Sequence, residues 1–232
     1  MVASQVHLVR HGEVFNPDGI LYGRLSGFGL SKLGHRMAQA AADELVSRGR
    51  RVSSLRVSPL QRTRESAAPI AEAFRLDPQL DERIIEPTNH FEGTVMKRAL
   101  KNPANWPYLI NPARPTWGEA YVSIERRMRA AIDDAFDSVD EGDVVLVGHQ
   151  LPIWITHLAV AGERFWHDPR KRRCSLSSIT TFERTIEPPA DTPTSAATPP
   201  DVAAVPVERL IEVGYAEPAA SLQVGARDVG AV

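Results

Sequence analysis

One short stretch restricts the fold of this chain more than any other. In GDVVLVGHQ, residues 142–150, four aliphatic residues follow one another without polar alternation. Such a run is typical of a strand that is covered by other elements on both faces of its sheet. The residues that come next, LPIWITHLAVAG, predict a helix that ends at Gly162. A buried strand followed directly by a helix indicates a layered α/β protein.

Two earlier segments repeat this order of strand and helix. Residues 5–12 predict a short buried strand, and residues 53–60 predict a second strand that leads into a further helix. Between them, residues 30–48 carry an apolar side chain at every fourth position, which indicates an amphipathic helix. Ser31 is its expected N-cap and Gly49 its expected C-terminal stop.

The later part of the chain continues the alternation. Residues 118–136 predict a helix with Val122, either Met128 or Arg129, and Ile132 on its inner face. Residues 175–183 and 207–216 have the character of strands. Helices that alternate with short apolar strands pack on both faces of one sheet. We therefore expect a three-layer α/β/α sandwich with a mainly parallel central sheet.

Changes in composition suggest how the chain is divided. Residues 1–186 are expected to form the main domain, with a cap-like insertion at about residues 87–117, where prolines recur. Residues 187–206 are rich in Pro, Ala and Thr, which is typical of a flexible insert. Residues 207–232 are expected to return to the sheet as a strand and to end in a weakly ordered tail.

Charge and cysteine content exclude several classes of protein. The chain of 232 residues has a formal net charge of −2, so bulk charge does not indicate a nucleic-acid-binding protein. Cys174 is the only cysteine, so no intrachain disulfide can form, and we expect it to be a buried apolar residue. The N-terminus lacks the features of a signal peptide, and no segment has the length of a membrane span. A cytoplasmic protein without a membrane partner is expected.

Cationic and imidazole side chains follow three of the predicted strands. Arg10 and His11 end the first strand, Arg62 follows the second, and His149 ends the strand of the opening motif. Ligands of open α/β sheets bind at the carboxyl ends of the strands, so these groups should meet in one crevice. A cluster of this charge is stable around an anion, and the arginine fork matches the oxygens of a phosphoryl group.

A histidine beside a bound phosphoryl group can act as a nucleophile. Attack of the imidazole on phosphorus gives a phosphohistidine, and this route requires no metal. It does require a carboxyl group with a raised pKa that protonates the leaving oxygen. The histidines show no His-Glu-x-x-His spacing that would indicate a zinc site, so no metal and no cofactor are expected.

Four segments of the chain resemble, in the same order, the signature segments of a known family. LVRHGEVFN, SPLQRTRESA, LDERIIEPTNHFEG and VVLVGHQ are similar to those of the histidine phosphatase (phosphoglycerate mutase-like) superfamily. The resemblance extends over residues 6–182, with a weaker similarity at residues 207–222. It implies the fold of phosphoglycerate mutase and a phosphoryl-transfer site built on a histidine.

The resemblance assigns a role to each residue that matches the family pattern. His11 would be the nucleophile, Arg10 and Arg62 would bind the phosphoryl group, and His149 would stabilise it during transfer. Asn16 matches the asparagine that also contacts the phosphate in the family.

The proton donor implied by the resemblance is Glu86. It precedes an aromatic-Glu-Gly element, residues 91–93, but the interval between the two is about one residue shorter than in the common form. Glu82 and Glu92 are therefore alternative candidates for the acid.

Within the family, the sequence favours a phosphatase over a mutase. The PTNHFEG segment after Glu86 does not resemble the Arg-His-Tyr-Gly type of segment found in mutases. We expect hydrolysis of a small phosphorylated substrate, with the aromatic residues of the cap-like segment, Trp106, Tyr108 and Trp117, shaping the choice of substrate. A phosphoglycerate mutase-type phosphotransferase and a non-catalytic module that binds phosphate or a phosphoprotein are the alternatives. No feature of the sequence indicates the oligomeric state.

Overall fold

The computed structural model describes residues 2–110, 115–187, 207–226 and 228. This part of the chain contains six strands and five α-helices, together with short 3₁₀ helices. The strands are β1 Val6–Arg10, β2 Val52–Val57, β3 Gln79–Leu80, β4 Asp143–Gly148, β5 Ile179–Glu187 and β6 Val207–Ala216; the helices are α1 Lys32–Ser47, α2 Gln61–Phe74, α3 Met96–Ala99, α4 Tyr121–Asp137 and α5 Gln150–Val160.

The strands form one sheet in the order β3-β2-β4-β1-β5-β6. The first four strands of this order are parallel to one another, while β5 and β6 are antiparallel additions at one edge. The predicted α/β fold with a mainly parallel central sheet is therefore confirmed. In the register between β1 and β4, Arg10 lies opposite Gly148. The residues that follow these two strands thus emerge side by side.

The sequence of strand β4 is almost entirely apolar because the strand is buried on both faces of the sheet. Val145 and Val147 pack with α1 and α2 on one face of the sheet, whereas Val144 and Leu146 pack with α4 and α5 on the other. All six residues of the strand are buried. Each aliphatic side chain buried in this way contributes about 1.5–3 kcal/mol to folding. The three-layer arrangement follows directly from this two-sided burial.

The predicted ends of α1 are confirmed. The hydroxyl of Ser31 accepts a hydrogen bond from the backbone N–H of Gly34 at 2.9 Å, which satisfies a donor of the first turn. Gly49, just beyond the helix, has a φ of +63°. This left-handed conformation is readily adopted only by glycine, so the helix stops there.

The inner face of α4 differs from the prediction. Ile132 is fully buried, but Val122 is 56% exposed. Tyr121 and Ile124 point toward the sheet instead. An apolar residue at the start of a helix does not by itself define the buried face, because the helix is rotated by the packing of its later turns.

The cap-like segment contains α3 and a 3₁₀ helix, Pro103–Leu109. Its small apolar cluster joins Phe91 and Ala99 to Leu21 of the loop after β1. The predicted insert, residues 187–206, lies outside the described residues except for its first position. Strands β5 and β6, on either side of it, pair over nine positions. No helix of the described residues is long and apolar enough to cross a membrane.

Candidate active site

The ends of β1 and β4 place two histidine rings next to each other. His11 directly follows β1, and His149 lies between the end of β4 and the first residue of α5. Their ring centroids are 5.3 Å apart with an edge-to-face geometry, and both side chains are fully buried. The sequence places these residues at two separate strand ends, and the parallel register of the strands brings them together.

The backbone carbonyl of Gly12 determines which ring nitrogen of His11 carries the proton. Its Nδ1 lies 2.8 Å from the carbonyl oxygen of Gly12, and because a carbonyl only accepts, Nδ1 carries the proton. Nε2 therefore presents its lone pair, and it has no hydrogen-bond partner among the described residues. Burial, together with Arg62 and Arg10, lowers the pKa of His11 well below its usual range. The ring is therefore neutral at physiological pH, with an available lone pair on Nε2.

His149 is held on both sides of its ring. Nδ1 lies 3.2 Å from Nη2 of Arg62, and Nε2 lies 2.7 Å from the hydroxyl oxygen of Ser58. Because a guanidinium group only donates, Nδ1 accepts and Nε2–H donates to Ser58. Burial and the charge of Arg62 lower the pKa of His149 well below its usual range. Sequence reasoning missed Ser58, although it is the first residue after β2 and thus also stands at a strand end.

The two arginines of the site have different partners. Arg10 donates to the carbonyl of Cys174 at 2.6 Å and binds both carboxylate oxygens of Asp228, at 2.8 and 2.5 Å. Arg62 donates to the carbonyl of Gly23 at 2.8 Å. Both arginine side chains are almost completely buried. No local sequence pattern marks Asp228 as part of the site, and Cys174 is buried as expected.

Tyr22 is another residue of the site that sequence reasoning did not identify. The guanidinium carbon of Arg62 lies 4.7 Å from the centre of its ring, a cation–π geometry. Burial raises the pKa of its phenol to about 12, so the hydroxyl keeps its proton. An aromatic residue in an irregular loop gives no periodic signal that marks it as part of a site.

Glu86 is the one of the three candidate acids that lies beside the histidines. It is only 1% exposed, and its Oε2 is 3.3 Å from Nδ1 of His149. Within the described part of the chain neither carboxyl oxygen has a hydrogen-bond partner. Burial raises its pKa above the usual value, although Arg62 and Arg10 act in the opposite direction. A carboxyl group in this environment retains its proton to a higher pH than a solvated one.

The other two candidates have different surroundings. Glu82 is exposed at the start of a 3₁₀ helix. Glu92 is half-buried, and its Oε1 accepts a hydrogen bond from the backbone N–H of Asn89 at 3.2 Å. Of the three candidates, Glu86 is the one whose carboxyl group lies within 4.8 Å of both histidines in the described part of the chain.

Two arginines hold the backbone that carries Glu86. Nε of Arg24 donates to the carbonyl of Glu86 at 2.5 Å, and Nη1 of Arg127 donates to the carbonyl of Arg83 at 2.5 Å. Glu119 joins these arginines, since its carboxylate lies 3.0 Å from Nε of Arg127 and 3.9 Å from Nη2 of Arg24. The acid-bearing segment is thus tied to α4 and to the loop after β1.

Asn16, the remaining predicted residue, has a structural contact in its own loop. Its Nδ2 donates to the carbonyl of Ile20 at 2.8 Å, and its Oδ1 accepts from the backbone N–H of the same residue at 3.2 Å. Its contact with a phosphoryl group stays a prediction.

Three side chains of the site also form a set of potential metal ligands. In the part of the chain that the structure describes, the ligand atoms of His11, Glu86 and His149 all lie within 4.8 Å of one another. Two imidazoles and a carboxylate can bind zinc. The charges of Arg10 and Arg62 already lower the pKa of both histidines, and the same field opposes a divalent cation. The site is better suited to an anion.

Comparisons with known proteins agree with this geometry. The sequence model of the histidine phosphatase superfamily (branch 1) matches residues 6–188. The uncharacterized protein Rv0525 of Mycobacterium tuberculosis is 48% identical over 182 residues, which cover 77% of this chain and 89% of that protein. The probable phosphoglycerate mutase GpmB of Yersinia enterocolitica is 30% identical over 183 residues, covering 75% of this chain and 84% of that protein.

Solved structures share the fold. Mycobacterial glucosyl-3-phosphoglycerate phosphatase superimposes with a TM-score of 0.62 at 24% identity, covering 77% of this chain and 89% of that one. The phosphoserine phosphatase of Entamoeba histolytica, in complex with 3-phosphoglyceric acid, superimposes with a TM-score of 0.63 at 21% identity, over 77% of this chain and 89% of that one.

Proposed function

The chain belongs to the histidine phosphatase superfamily, and on that basis we propose that it is a phosphomonoester hydrolase that works through a phosphohistidine on His11. The observation that carries the proposal is the surroundings of His11 Nε2. This atom has no hydrogen-bond partner among the described residues, and one ring nitrogen of His11 lies within 4.8 Å of a ring nitrogen of His149 and of a carboxyl oxygen of Glu86. A neutral imidazole with a free lone pair, beside a carboxyl group whose pKa is raised by burial, suits attack on phosphorus with release of an alcohol.

The proposed reaction has two steps. Nε2 of His11 forms a bond to phosphorus, the bond from phosphorus to the ester oxygen breaks, and Glu86 gives its proton to that oxygen. The Glu86 carboxylate then removes a proton from water, whose oxygen attacks phosphorus while the bond to Nε2 breaks. Arg10, Arg62 and His149 would bind the phosphoryl oxygens and stabilise the charge that develops on them. Inorganic phosphate leaves, and both residues return to their initial states.

The names of the structural neighbours support a small phosphorylated metabolite as substrate. One neighbour acts on glucosyl-3-phosphoglycerate and another on phosphoserine. In this chain the cap-like segment brings His90 and Tyr108 into a stack with ring centroids 3.7 Å apart, and Trp106 is 58% exposed. These aromatic groups are candidates for contacts with the part of the substrate beyond the phosphate.

The test is hydrolysis of p-nitrophenyl phosphate in the presence of a chelator. We expect the wild-type protein to be active and His11→Ala to reduce kcat to below about one thousandth, because the nucleophile is lost. His35→Ala, at an exposed histidine of α1, is the matched control and should retain activity. Full activity of His11→Ala would refute the mechanism.

A mutase is the second candidate, because relatives at about 30% identity carry the name of phosphoglycerate mutase. It would transfer the phosphoryl group between positions of a glycerate and would depend on a bisphosphorylated primer. Exchange of label between these positions, measured with and without primer, distinguishes the two reactions. A non-catalytic binding module would bind phosphate but show no phosphohistidine after rapid quench. The buried Glu86 supports turnover over mere binding.

A further inference from the structure

The C-terminal segment, described at residues 217–226 and 228, reaches the candidate active site through Asp228. Asp228 binds the Arg10 guanidinium with both carboxylate oxygens, at 2.8 Å from Nη1 and 2.5 Å from Nη2. Arg10 is fully buried, whereas the Asp228 side chain is 40% exposed, so the carboxylate approaches from the mouth of the site. The arginine fork would bind two oxygens of a phosphoryl group in the same way.

The segment that carries Asp228 is anchored to the body of the protein. Ala219 is fully buried and packs with Met37 and Leu176. Gln223 donates to the carbonyl of Leu176 at 3.4 Å, and Glu217 accepts a hydrogen bond from the Ser175 hydroxyl at 2.6 Å. These contacts place the segment against the turn that also supplies the Cys174 carbonyl to Arg10.

The family relationship does not account for this contact. The superfamily model ends at residue 188, whereas Asp228 lies 40 residues beyond it. The Asp228 carboxylate occupies both Nη groups of Arg10, and one of them also donates to the Cys174 carbonyl. A phosphoryl group that binds the same fork would compete with this carboxylate for these donors.

We propose that Asp228 is an internal competitor of the phosphorylated ligand for Arg10, so that substrate must displace the C-terminal segment in order to bind. This proposal rests on the proposed function, since it assumes that Arg10 binds phosphate. A cavity of about 340 Å³ adjoins the contact and is lined by Gln150, Arg172 and Asp228 itself. A displaced carboxylate can move into this space and remain close to cationic side chains.

Competition of this kind has a defined thermodynamic effect. A ligand that binds only the open form shows an apparent Kd that is raised by the reciprocal of the open fraction. Replacing Asp228 by Asn removes the charge of the competitor and keeps its shape. We expect Asp228→Asn to bind inorganic phosphate about fivefold or more tightly than the wild type, and to lower KM for p-nitrophenyl phosphate by a similar factor.

The experiment measures inorganic phosphate binding by titration calorimetry on the full-length wild type, Asp228→Asn and Asp140→Asn. Asp140→Asn is the matched control, because it removes the same charge at an exposed position before β4, outside the C-terminal segment that Glu217 helps to anchor. Hydrogen exchange of the backbone around residues 219–226, measured with and without phosphate, is the second readout and should quicken on binding in the wild type.

The outcomes separate the two proposals. Tighter binding in Asp228→Asn alone, with unchanged binding in Asp140→Asn, supports the competition. Equal or weaker binding in Asp228→Asn overturns it, while turnover by the wild type would leave the proposed function intact. Absence of both phosphate binding and turnover in every protein would overturn the proposed function and, with it, this inference.

Discussion

At the scale of single residues, the chemistry of the site depends on which ring nitrogens of His11 and His149 carry a proton and on the protonation of Glu86. The carbonyl of Gly12 keeps the His11 proton on Nδ1, and Arg62 directs the His149 proton toward Ser58. Both imidazoles are neutral because burial and neighbouring arginines lower their pKa values. The pKa of the Glu86 carboxyl group shifts in the other direction, because burial raises it. The same buried environment thus favours the neutral form of both imidazoles and of the Glu86 carboxyl group, as the proposed mechanism requires.

The acid can be identified by substitution. We expect Glu86→Gln to lower kcat about 100-fold or more, because general acid catalysis contributes this much and the amide cannot donate an acidic proton. Glu82→Gln and Glu92→Gln are the controls and should stay within a few-fold of the wild type. A larger loss in either control than in Glu86→Gln would reassign the role.

The pH dependence gives an independent check of Glu86. The donor acts in its protonated form, so kcat falls as pH rises through the Glu86 pKa. Because burial raises that pKa above 4.5, the fall occurs at higher pH than for a solvated glutamate. The alkaline limb should be absent in Glu86→Gln when kcat is measured against pH, and its persistence would assign the limb to another group.

At the scale of elements, the loop after β1 that carries His11 and Gly12 is positioned by direct backbone packing against α1. A Cβ on Gly12 would lie 2.4 Å from the carbonyl oxygen of Gly34, and a Cβ on Gly34 would lie 2.0 Å from that of Glu13. The Ser66 hydroxyl of α2 also accepts a hydrogen bond from the Gly12 N–H at 3.0 Å. Two helices therefore locate the residues that follow β1.

A methyl group at Gly34 tests this packing. Gly34→Ala should raise helix propensity, yet we expect it to lower the free energy of unfolding by about 1–3 kcal/mol, because the backbone contact must open. The same shift moves His11 and should lower kcat. Urea denaturation and p-nitrophenyl phosphate turnover measure the two effects. Gln39→Ala, at an exposed position of α1, is the control, and equal stability of both variants would contradict the packing argument.

At the scale of the whole molecule, a cluster around the buried Asp143 joins three segments near the N-terminal ends of β1 and β4, at the opposite end of these strands from the site. Asp143 begins β4 and binds Arg50 with both carboxylate oxygens, at 2.6 and 2.8 Å, while His7 of β1 lies 3.3 Å away. Burial alone would raise the pKa of Asp143, but the hydrogen bonds from Arg50 and His7 lower it to about 2. The charged form of Asp143 is therefore favoured by folding.

The difference between the folded and unfolded pKa of Asp143 determines how its contribution to stability changes with pH. The folded-state pKa of Asp143 is below the usual value of 3.8, so its contribution is complete above that value and is lost as pH falls toward about 2. A shift of this size corresponds to about 2 kcal/mol. Asp143→Asn should lower the free energy of unfolding by at least about this amount at pH 7 and by much less near pH 2.

Urea denaturation across this pH range is the measurement. Glu141→Gln is the matched control, because its ion pair with Arg51 is about two-thirds exposed on both sides and contributes little. A difference between Asp143→Asn and wild type that stays constant from pH 7 to pH 2 would refute the assignment.

The amino-acid sequence by itself determined the layered α/β fold and the four cationic and imidazole residues at the strand ends. Two-sided burial of Val144 to Val147 and the caps of α1 are encoded in neighbouring residues, so local patterns predict them. The face of α4 was not predicted at Val122, because its rotation depends on contacts with distant elements.

Only the tertiary structure decided which carboxylate lies beside the histidines and what holds Arg10. Glu82, Glu86 and Glu92 have similar local sequence surroundings, and burial separates them. Asp228 lies 218 positions from Arg10 along the chain, and Ser58 lies 91 positions from His149. Contacts of such separation arise when the sheet is assembled, because the pairing of strands and the docking of the C-terminal segment bring together residues that no local pattern relates.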